Sequence, residues 1–460
     1  MGRIAGTLVR VAERGLSPPQ TLAVGFGATI LVGTGLLMLP VATTAGENPR
    51  LIDALFTAAS AVCVTGLIVV DTPTFWSPFG HVVILALIQL GGLGYMTVST
   101  MIALLLRRRV SLRERLALQR AVGTMSLAGV VRFVKRVLVV TAVVEGTATV
   151  VLTLRFAQDY PIGTAAFLGL FHAVSAFNNA GFSLFSTSLM RYVGDPVVSL
   201  TLAVSFILGG IGYLVISEFL EWRREGIVPR LSVHTRLVLR VTGGLLAVSF
   251  VLFLFLEWTN AATLGPLGVP VRLLAGFFQA ATPRTAGFNT VDIGSLRQVT
   301  LVILILLMFV GASPGGTGGG IKTTTLGALL AAIWRTLRGD SEVNLMGRRL
   351  PQKVLNDAFI LSTLSLNFVV LVTVILMVTE GHPFIQTLFE VTSAFGTVGL
   401  STGVPGMPIS LAGVFSDFGK LAISGTMLAG RVGPVTLGAA LLLREQTAGY
   451  HLLEEQVLIG

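Results

Sequence analysis

The stretch Ala176-Phe-Asn-Asn-Ala-Gly181-Phe182 is one of four related turns in this chain. The turns are numbered 1 to 4 in chain order, and this stretch is turn 2. The others are Ala61-Val-Cys-Val-Thr-Gly66-Leu67, Thr282-Pro-Arg-Thr-Ala-Gly287-Phe288 and Ala394-Phe-Gly-Thr-Val-Gly399-Leu400. Their glycines lie 115, 106 and 112 residues apart, which predicts four structural units around one axis. Because glycine accepts φ > 0, successive carbonyls in such turns can point the same way. Four turns around an axis would stack rings of carbonyl oxygens, which can replace the hydration shell of a cation.

The composition indicates a membrane protein. Of 460 residues, 53% are hydrophobic and 12% are charged, and the mean hydropathy is +0.84. Soluble domains carry about 25% charged residues, so lipid is the expected cover for this surface. The single cysteine, Cys63, excludes an internal disulfide and any cysteine-based metal cluster. The five histidines lack ligand spacing, and no nucleophile–base pair or carboxylate dyad is visible, so an enzyme is not expected.

Long apolar runs predict eight spanning helices, each near or above the roughly 20 residues needed to cross the hydrocarbon. They lie near Thr21–Pro40, His81–Leu106, Phe133–Leu154, Pro196–Leu220, Leu237–Trp258, Val299–Ile333, Ala358–Val378 and Ala412–Leu443. Taken in chain order, the eight helices form four pairs. Between the two helices of each pair lies a stretch too short to cross the membrane, which favours a re-entrant half-helix. These stretches are Ile52–Cys63, Gly163–Asn178, Val271–Pro283 and Phe384–Phe395.

The predicted fold is an all-α polytopic membrane protein with four repeats of spanning helix, pore half-helix, filter loop and spanning helix around a central pore. Repeats 1 to 4 comprise residues 21–120, 121–225, 226–350 and 351–460, after a cytoplasmic arm of residues 1–20. Non-helical backbone at membrane depth needs shielding by protein or a water-filled cavity. Four re-entrant units around one axis meet that condition together.

Charge asymmetry predicts the orientation. Most of the 32 Lys and Arg residues fall in the N-terminal arm and in segments 107–136, 223–240 and 335–353. Basic loops stay cytoplasmic. Both termini are therefore expected on the cytoplasmic side of the cell membrane, and the half-helices are expected to enter the membrane from outside. The basic loops are explained by topology and anionic lipid, and docking to an acidic or nucleotide-binding partner is compatible with that.

The three residues ending at each glycine are the candidate K⁺ ligands, through their backbone carbonyls. They are Val64, Thr65 and Gly66; Asn179, Ala180 and Gly181; Thr285, Ala286 and Gly287; and Thr397, Val398 and Gly399. Helix packing is the alternative, since small residues are common where membrane helices touch. It does not explain why each glycine follows a short half-helix. Packing does suit the glycines of Gly91-Gly-Leu-Gly94 and its internal match Gly209-Gly-Ile-Gly212.

Repeat 3 carries a glycine-rich loop, Gly311-Ala-Ser-Pro-Gly-Gly-Thr-Gly-Gly-Gly320, whose six glycines and one proline cannot remain helical. The candidate gate residues there are Gly311, Ser313, Gly315, Gly316, Thr317, Gly318, Gly319, Gly320 and Lys322. A mobile plug beneath the turns is favoured over a plain hinge. A phosphate-binding loop is disfavoured, because glycine does not directly precede Lys322. Lys322 either lines the path or reaches the cytoplasmic interface.

Arg431, in Gly430-Arg-Val-Gly-Pro434, lies about midway along its predicted span. An arginine within the membrane is costly and functional by default, and this one could donate hydrogen bonds to carbonyls of the glycine-rich loop. Weaker candidates follow. Asp71 and Asp292 either attract cations or cap loops, Arg284 is expected to brace turn 3 from behind, and His172 and Glu390 are expected to be buried structural partners.

Together these motifs resemble the Trk/Ktr/HKT superfamily of potassium transporters over essentially the whole chain, most closely the bacterial Ktr membrane subunits. The resemblance implies that Gly66, Gly181, Gly287 and Gly399 are selectivity glycines, that the broken helix is an intramembrane gate, and that Arg431 braces it. Glycine in turn 1 implies a preference for K⁺ over Na⁺. A homodimer on a cytoplasmic ring of nucleotide-binding, KtrA-like regulatory subunits is implied as well.

The expected function is therefore a channel-like K⁺-translocating membrane subunit gated from inside, with Na⁺ dependence left open. The alternative is an H⁺- or Na⁺-coupled cation symporter with weaker K⁺ selectivity. Coupled transporters often place acidic residues in spanning helices. This chain has few, such as Glu145 and Glu218, which favours an uncoupled or ion-activated path. The expected partners are lipid and protein, with no nucleic acid.

Overall fold

The computed structural model describes residues 18–94, 129–225, 231–339 and 342–433, together with Gly438. Within these ranges the chain is almost entirely helical, apart from a small antiparallel hairpin that pairs Asn344–Leu345 with Arg348–Arg349. Residues 1–17 of the predicted N-terminal arm, residues 95–128, which contain most of the basic segment that begins at residue 107, and the chain after residue 433 apart from Gly438 lie outside the described residues.

One long helix is the first helix of each of the four repeats. These helices are α1 (Pro18–Leu37), α5 (Gly129–Phe156), α9 (Val233–Glu257) and α13 (Gln352–Glu380). Each contains a stretch long and apolar enough to cross a membrane. Large side chains stand exposed on them, such as Leu31 at 68%, Phe255 at 80% and Val378 at 81%. Such surfaces need lipid rather than water, in agreement with the predicted membrane setting.

Four short helices precede the turns: α2 (Leu51–Val62), α6 (Ile162–Phe177), α10 (Val269–Ala281) and α14 (Phe384–Gly396). Prolines at the N-caps of α6 and α14, and at the second position of α10, start these helices with a pre-set φ. With 12 to 16 residues they are too short to span. Their aromatic side chains, including Phe56, Phe171, Phe278 and Phe389, are fully buried and form much of the core.

The second helices are α4 (Pro78–Leu93), α7 (Pro196–Ile211), α11 (Gln298–Phe309) and α15 (Asp417–Val432). Side chains of Ser77, Asp195 and Ser416 accept hydrogen bonds from N–H groups of the first turns of α4, α7 and α15. These caps satisfy donors that a helix end leaves unpaired. The remaining helices are α3 (Thr72–Phe75), α8 (Tyr213–Glu225), α12 (Thr323–Arg338) and 3₁₀ turns at Pro40–Ala42, Met190–Tyr192 and Leu411–Val414.

All four second helices end early, which corrects the predicted continuous spans His81–Leu106, Pro196–Leu220 and Ala412–Leu443. Only repeat 3 was expected to break. The other three end at Gly94, Gly212 and Gly433, whose φ values of 79°, 99° and 94° are not helical. After Gly212 the chain continues as α8, bent by 95° from α7. By length and composition, therefore, four helices of the described part of the chain can span a membrane, or five if this bent pair counts as one.

Among the described residues, two ion pairs join repeat 4 to repeat 1. Lys420 Nζ lies 2.8 Å from Asp53 Oδ1, and both side chains are almost completely buried. Arg50 Nη2 lies 2.6 Å from Asp417 Oδ1, but these side chains are 63% and 64% exposed. The buried pair fixes α15 against the first turn of α2 and so links the last repeat to the first.

The buried pair predicts a large stability loss when one partner is removed. Lys420→Met should lower the free energy of unfolding by about 3–5 kcal/mol, because Asp53 is left buried and uncompensated. The double variant Asp53→Leu/Lys420→Met should recover most of that loss. Arg50→Gln, at the exposed pair, is the matched control and should cost less than about 1 kcal/mol. Thermal unfolding in detergent measures all three, and a Lys420→Met protein as stable as Arg50→Gln would contradict the assignment.

Candidate functional site

The four turns meet around one axis. A Cβ atom built on any of the four glycines would press on the carbonyl oxygen that precedes the glycine of the next turn. The contacts join Gly66 to Ala180, Gly181 to Ala286, Gly287 to Val398 and Gly399 to Thr65. Since the last contact returns to turn 1, the turns form a closed ring. Glycine is required at each position because the neighbouring backbone occupies the space of a side chain.

The sign of φ alternates along the backbone of each turn. The glycines have φ between 69° and 92°, and the residue two positions earlier also has positive φ: Val64 51°, Asn179 58°, Thr285 70° and Thr397 49°. The residue between them does not. Positive φ is strained for β-branched residues such as these valine and threonines, and strain of this kind concentrates at functional sites. This alternation is compatible with successive carbonyls that share one direction, which stays a prediction of the sequence pattern.

Hydroxyl groups brace the turns from behind, and these residues were missed in the sequence. Ser60 and Ser393 accept hydrogen bonds from the N–H groups of the glycines in their own turns, at 3.0 and 3.1 Å. Ser175 donates instead to the carbonyl after its glycine at 2.8 Å, and Thr282 does the same in turn 3 at 2.6 Å. The available signal was a serine six residues before the glycine in turns 1, 2 and 4.

His172 and Glu390 occupy equivalent positions, nine residues before their glycines, and both are fully buried. The Nε2 atom of His172 lies 3.0 Å from the hydroxyl of Ser183. Glu390 accepts hydrogen bonds from the hydroxyl of Ser401 at 2.6 Å and from the N–H of Ala412 at 2.9 Å. Each side chain therefore holds the segment that leaves its turn, which agrees with the expected structural role.

The glycine-rich loop lies directly against three turns. Thr317 donates its hydroxyl to Asn179 Oδ1 at 3.0 Å, and Gly319 donates its N–H to Thr397 Oγ1 at 2.9 Å. A Cβ on Gly318 would collide with the hydroxyl of Thr285. The three turn residues in these contacts are the positive-φ residues of turns 2, 3 and 4. The loop is thus fitted to the side chains of the ring itself.

The same loop also binds the broken helix of repeat 2. The N–H groups of Ser313 and Thr317 donate to the carbonyls of Gly210 and Gly209, at 2.9 and 3.1 Å. In return, the N–H of Tyr213 donates to the carbonyl of Gly315 at 3.0 Å. A helix end leaves such carbonyls without partners. The break at Gly212 therefore supplies the groups that hold the loop.

Arg431 bridges the loop and repeat 1. Its guanidinium donates to the carbonyl of Thr317 and, on the other side, to the carbonyl of Gly91. The prediction that Arg431 lies midway along its span needs correction, because Arg431 lies in the last turn of α15, two residues before Gly433. It occupies the place that Gly92 and Gly210 hold in repeats 1 and 2. Here a helix end, not a helix interior, carries the arginine.

Internal contacts shape the remaining loop residues. Lys322 Nζ donates to the carbonyl of Gly318 at 2.8 Å, so this side chain folds back on the loop. The hydroxyl of Thr323 donates to that of Ser313 at 2.8 Å. Four glycines shape the loop. The N–H of Gly311 donates to the carbonyl of Ile321 and that of Gly316 to the carbonyl of Ser313, whereas Gly315 and Gly320 have positive φ.

Among the weaker candidates, Arg284 lies within turn 3, whereas Asp71 and Asp292 lie beyond the glycines of turns 1 and 3. Arg284 is only 7% exposed, and its carbonyl accepts a hydrogen bond from Asn179 Nδ2 at 3.4 Å. Asp71 accepts the hydroxyls of Thr74 and Ser186, each at 2.7 Å. Asp292 accepts the N–H of Gly294 at 3.1 Å and the hydroxyl of Ser295 at 2.5 Å. The contacts of both aspartates favour the loop-capping alternative.

Comparison with known proteins gives consistent results. The family described as cation transport protein TrkH matches residues 20–447. The Ktr system potassium uptake protein B of Bacillus subtilis is 43% identical over 94% of this chain and 94% of its own length. The potassium/sodium uptake protein NtpJ of Enterococcus hirae is 35% identical over 98% and 99% of the two chains. These relatives are named as transport proteins, not as enzymes.

A solved structure shares the fold. The crystal structure of the potassium transporter TrkH from Vibrio parahaemolyticus aligns with a TM-score of 0.70, covering 91% of this chain and 85% of that one, at 20% identity. The family match, the two similar uptake proteins and this shared fold confirm the resemblance seen in the sequence. The chain belongs to the TrkH family of cation transport proteins.

Proposed function

We propose that this chain is the K⁺-translocating membrane subunit of a K⁺ uptake system, and that K⁺ crosses along the axis between the four turns. The observation that carries the proposal is the closed ring of contacts, in which the carbonyls of Thr65, Ala180, Ala286 and Val398 each meet the glycine of the preceding turn in the ring. The names of the relatives, which describe potassium uptake proteins of Ktr systems, point to the same ion.

The chemistry of the turns suits a monovalent cation. Carbonyl dipoles replace water around K⁺ without a full negative charge, so the ion can also leave. Within the described residues no group of three or more His, Cys, Asp or Glu side chains could hold a metal ion. The filter residues are the three that end at each glycine, and their backbones, not their side chains, are the ligands. Different side chains in the four turns are compatible with this role.

The glycine-rich loop is proposed as the gate. It contacts turns 2, 3 and 4 and carries no bulky side chain between Gly315 and Gly320. Its polar contacts to other repeats end on groups of repeats 2 and 4, so the loop can be released without unfolding a core. Arg431 supplies a charge-assisted bond to Thr317, and such bonds are about twice as strong as neutral ones.

The surrounding architecture completes the proposal. Eight spanning segments in four repeats would surround the axis, each second helix being interrupted at the level of the loop. The protein would lie in the plasma membrane with both termini cytoplasmic, as the basic segments indicate. It would form a homodimer and bind a cytoplasmic ring of nucleotide-binding regulatory subunits. The relatives' name "Ktr system" supports a multi-component assembly, and Na⁺ dependence is proposed alongside it.

Rubidium flux into liposomes that contain the purified protein tests this function. The proposal predicts saturable uptake that K⁺ inhibits more strongly than Na⁺ and that needs no proton gradient. Uptake that requires an inward H⁺ or Na⁺ gradient would instead establish the coupled symporter with weaker K⁺ selectivity. Because the name of the Enterococcus relative includes sodium, uptake must also be measured with and without an Na⁺ gradient. Empty liposomes and liposomes with heat-unfolded protein serve as controls.

Gly66→Ser should lower the K⁺/Na⁺ flux ratio. The new Cβ would collide with the carbonyl oxygen of Ala180 and displace one quarter of a carbonyl ring. Gly381→Ser is a matched control, because Gly381 also has positive φ (70°) but has no atom within 4 Å of the Cβ position. It should strain the backbone at a site away from the ring and leave the flux ratio unchanged. A folded Gly66→Ser protein with the parental ratio would remove turn 1 from the filter.

Arg431→Gln should raise basal rubidium uptake. Loss of one charge-assisted hydrogen bond to the loop removes roughly 1.5–3 kcal/mol, which shifts a two-state gate by a factor of about ten or more. Deletion of Gly315–Gly319 should also raise basal uptake. Combined with Arg431→Gln it should add little, because both changes remove the same barrier. Uptake at equal protein density measures this; multiplicative effects in the double variant would place Arg431 elsewhere.

A further inference from the structure

The helix that follows the glycine-rich loop, α12, carries an exposed apolar stripe. Four of its large side chains are between 53% and 75% exposed, and they occupy positions i, i+3, i+4 and i+7: Leu330, Ile333, Trp334 and Leu337. This spacing places the four side chains on one face of the helix. They are called the α12 stripe below, and a stripe of this kind needs an apolar cover.

The other side of α12 is packed against the protein. Ala328 belongs to a buried apolar cluster with Val343 and Ala358. A Cβ atom built on Gly327 would lie only 2.7 Å from the side chain of Leu237 in α9, so the two helices are in close contact there. The orientation of α12 is therefore fixed by its packed side, and the stripe remains uncovered by the described residues.

An exposed arginine lies at the end of the stripe. The guanidinium carbon of Arg338 is 4.6 Å from the centroid of the Trp334 ring, which is a cation–π contact. Among the described residues, this guanidinium forms no ion pair and donates no hydrogen bond. Its planar group of N–H donors is thus held in place by the indole while its donors remain available to an external acceptor.

A second arginine–tryptophan stack shows the difference. The guanidinium carbon of Arg272 lies 5.0 Å from the centroid of the Trp258 ring. Arg272 also donates hydrogen bonds to the carbonyls of Gly265 and Leu267. The protein itself therefore supplies the acceptors in that stack, whereas it supplies none for Arg338 in the described part of the chain.

The charge pattern selects the occupant of the stripe. An occupant has to offer an apolar surface to the stripe and an anionic group to Arg338. A second copy of α12 would offer the apolar surface, but this helix contains two arginines and no Asp or Glu. A phospholipid with an anionic headgroup offers both. The basic segments predict that this end of α12 lies on the cytoplasmic side, where the leaflet is negatively charged.

We infer that the α12 stripe and Arg338 form a binding site for an anionic phospholipid of the cytoplasmic leaflet. An acyl chain lies along the stripe, and the phosphate accepts hydrogen bonds from the guanidinium, whose fork-like geometry suits phosphate. Because α12 begins directly after Lys322, the lipid is bound at the far end of the helix that leaves the gate loop. Its binding does not depend on K⁺ transport and can be measured without any ion flux.

Trp334 is a built-in probe for this site. Bromine atoms on a lipid acyl chain quench the fluorescence of a tryptophan that the chain touches. The purified protein is placed in phosphatidylcholine nanodiscs that contain an increasing fraction of either brominated phosphatidylglycerol or brominated phosphatidylcholine. The chain has four tryptophans, so the signal of the variant Trp334→Phe is subtracted as background. The parent should be quenched at a lower fraction of the anionic lipid than of the neutral one.

Arg338→Gln should reduce the preference for phosphatidylglycerol about fivefold, as expected for loss of one basic residue at an anionic surface. Arg50→Gln is the matched control, because the Arg50 side chain is also exposed (63%) but is paired with Asp417, and it should leave the preference unchanged. Leu337→Ala should weaken the binding of both lipids, whereas Leu31→Ala, at an exposed leucine of α1, should not. Arg338→Met is the second uncharged variant if Arg338→Gln is unstable.

Equal quenching of the parent by the two lipids would overturn the inference, as would a parental preference in both uncharged variants of Arg338. Quenching by neither lipid, together with a dimer that Leu337→Ala dissociates in light scattering, would assign the stripe to a second copy of the chain instead. Loss of the preference in millimolar inorganic phosphate would show that Arg338 binds free phosphate and not the lipid. A preference that depends on Arg338 and persists in phosphate supports the lipid site.

Discussion

Backbone polar groups at membrane depth must be paired or shielded, and the whole arrangement follows from that constraint. Each turn leaves the helical hydrogen-bond pattern and would be unstable alone in lipid. The ring supplies the shielding, since every glycine packs on the carbonyl that precedes the next glycine. The serines behind the turns and the buried Lys420–Asp53 pair hold the ring closed. A single turn therefore has no stable conformation without the other three.

The breaks in the second helices belong to the same scheme. Each helix stops at the level of the glycine-rich loop, and the carbonyls of Gly209 and Gly210 receive that loop. Where two repeats have glycine, repeat 4 has Arg431, whose side chain spans from repeat 1 to the loop. The four repeats therefore differ from one another mainly beneath the turns, where the glycine-rich loop of repeat 3 meets Arg431 of repeat 4.

Much of this was predictable because a repeated motif is informative even in a single sequence. The four turns, the four first helices, the short helices and the loop could be placed from glycine spacing and apolar length. The breaks at Gly94, Gly212 and Gly433 could not, because glycine in an apolar helix more often serves close packing. Contacts between side chain and backbone, such as those of Ser60 and Ser393, depend on three-dimensional proximity. Arg431 was recognised, but its place at a helix end followed only from the break.

The central claim is that the cation passes through the ring formed by the four turns. Anomalous diffraction from crystals grown in rubidium locates such an ion directly. The account predicts a rubidium peak on the axis, surrounded by the carbonyl oxygens of Thr65, Ala180, Ala286 and Val398. Rubidium bound between the repeats, away from the axis, with no peak within the ring, would contradict it.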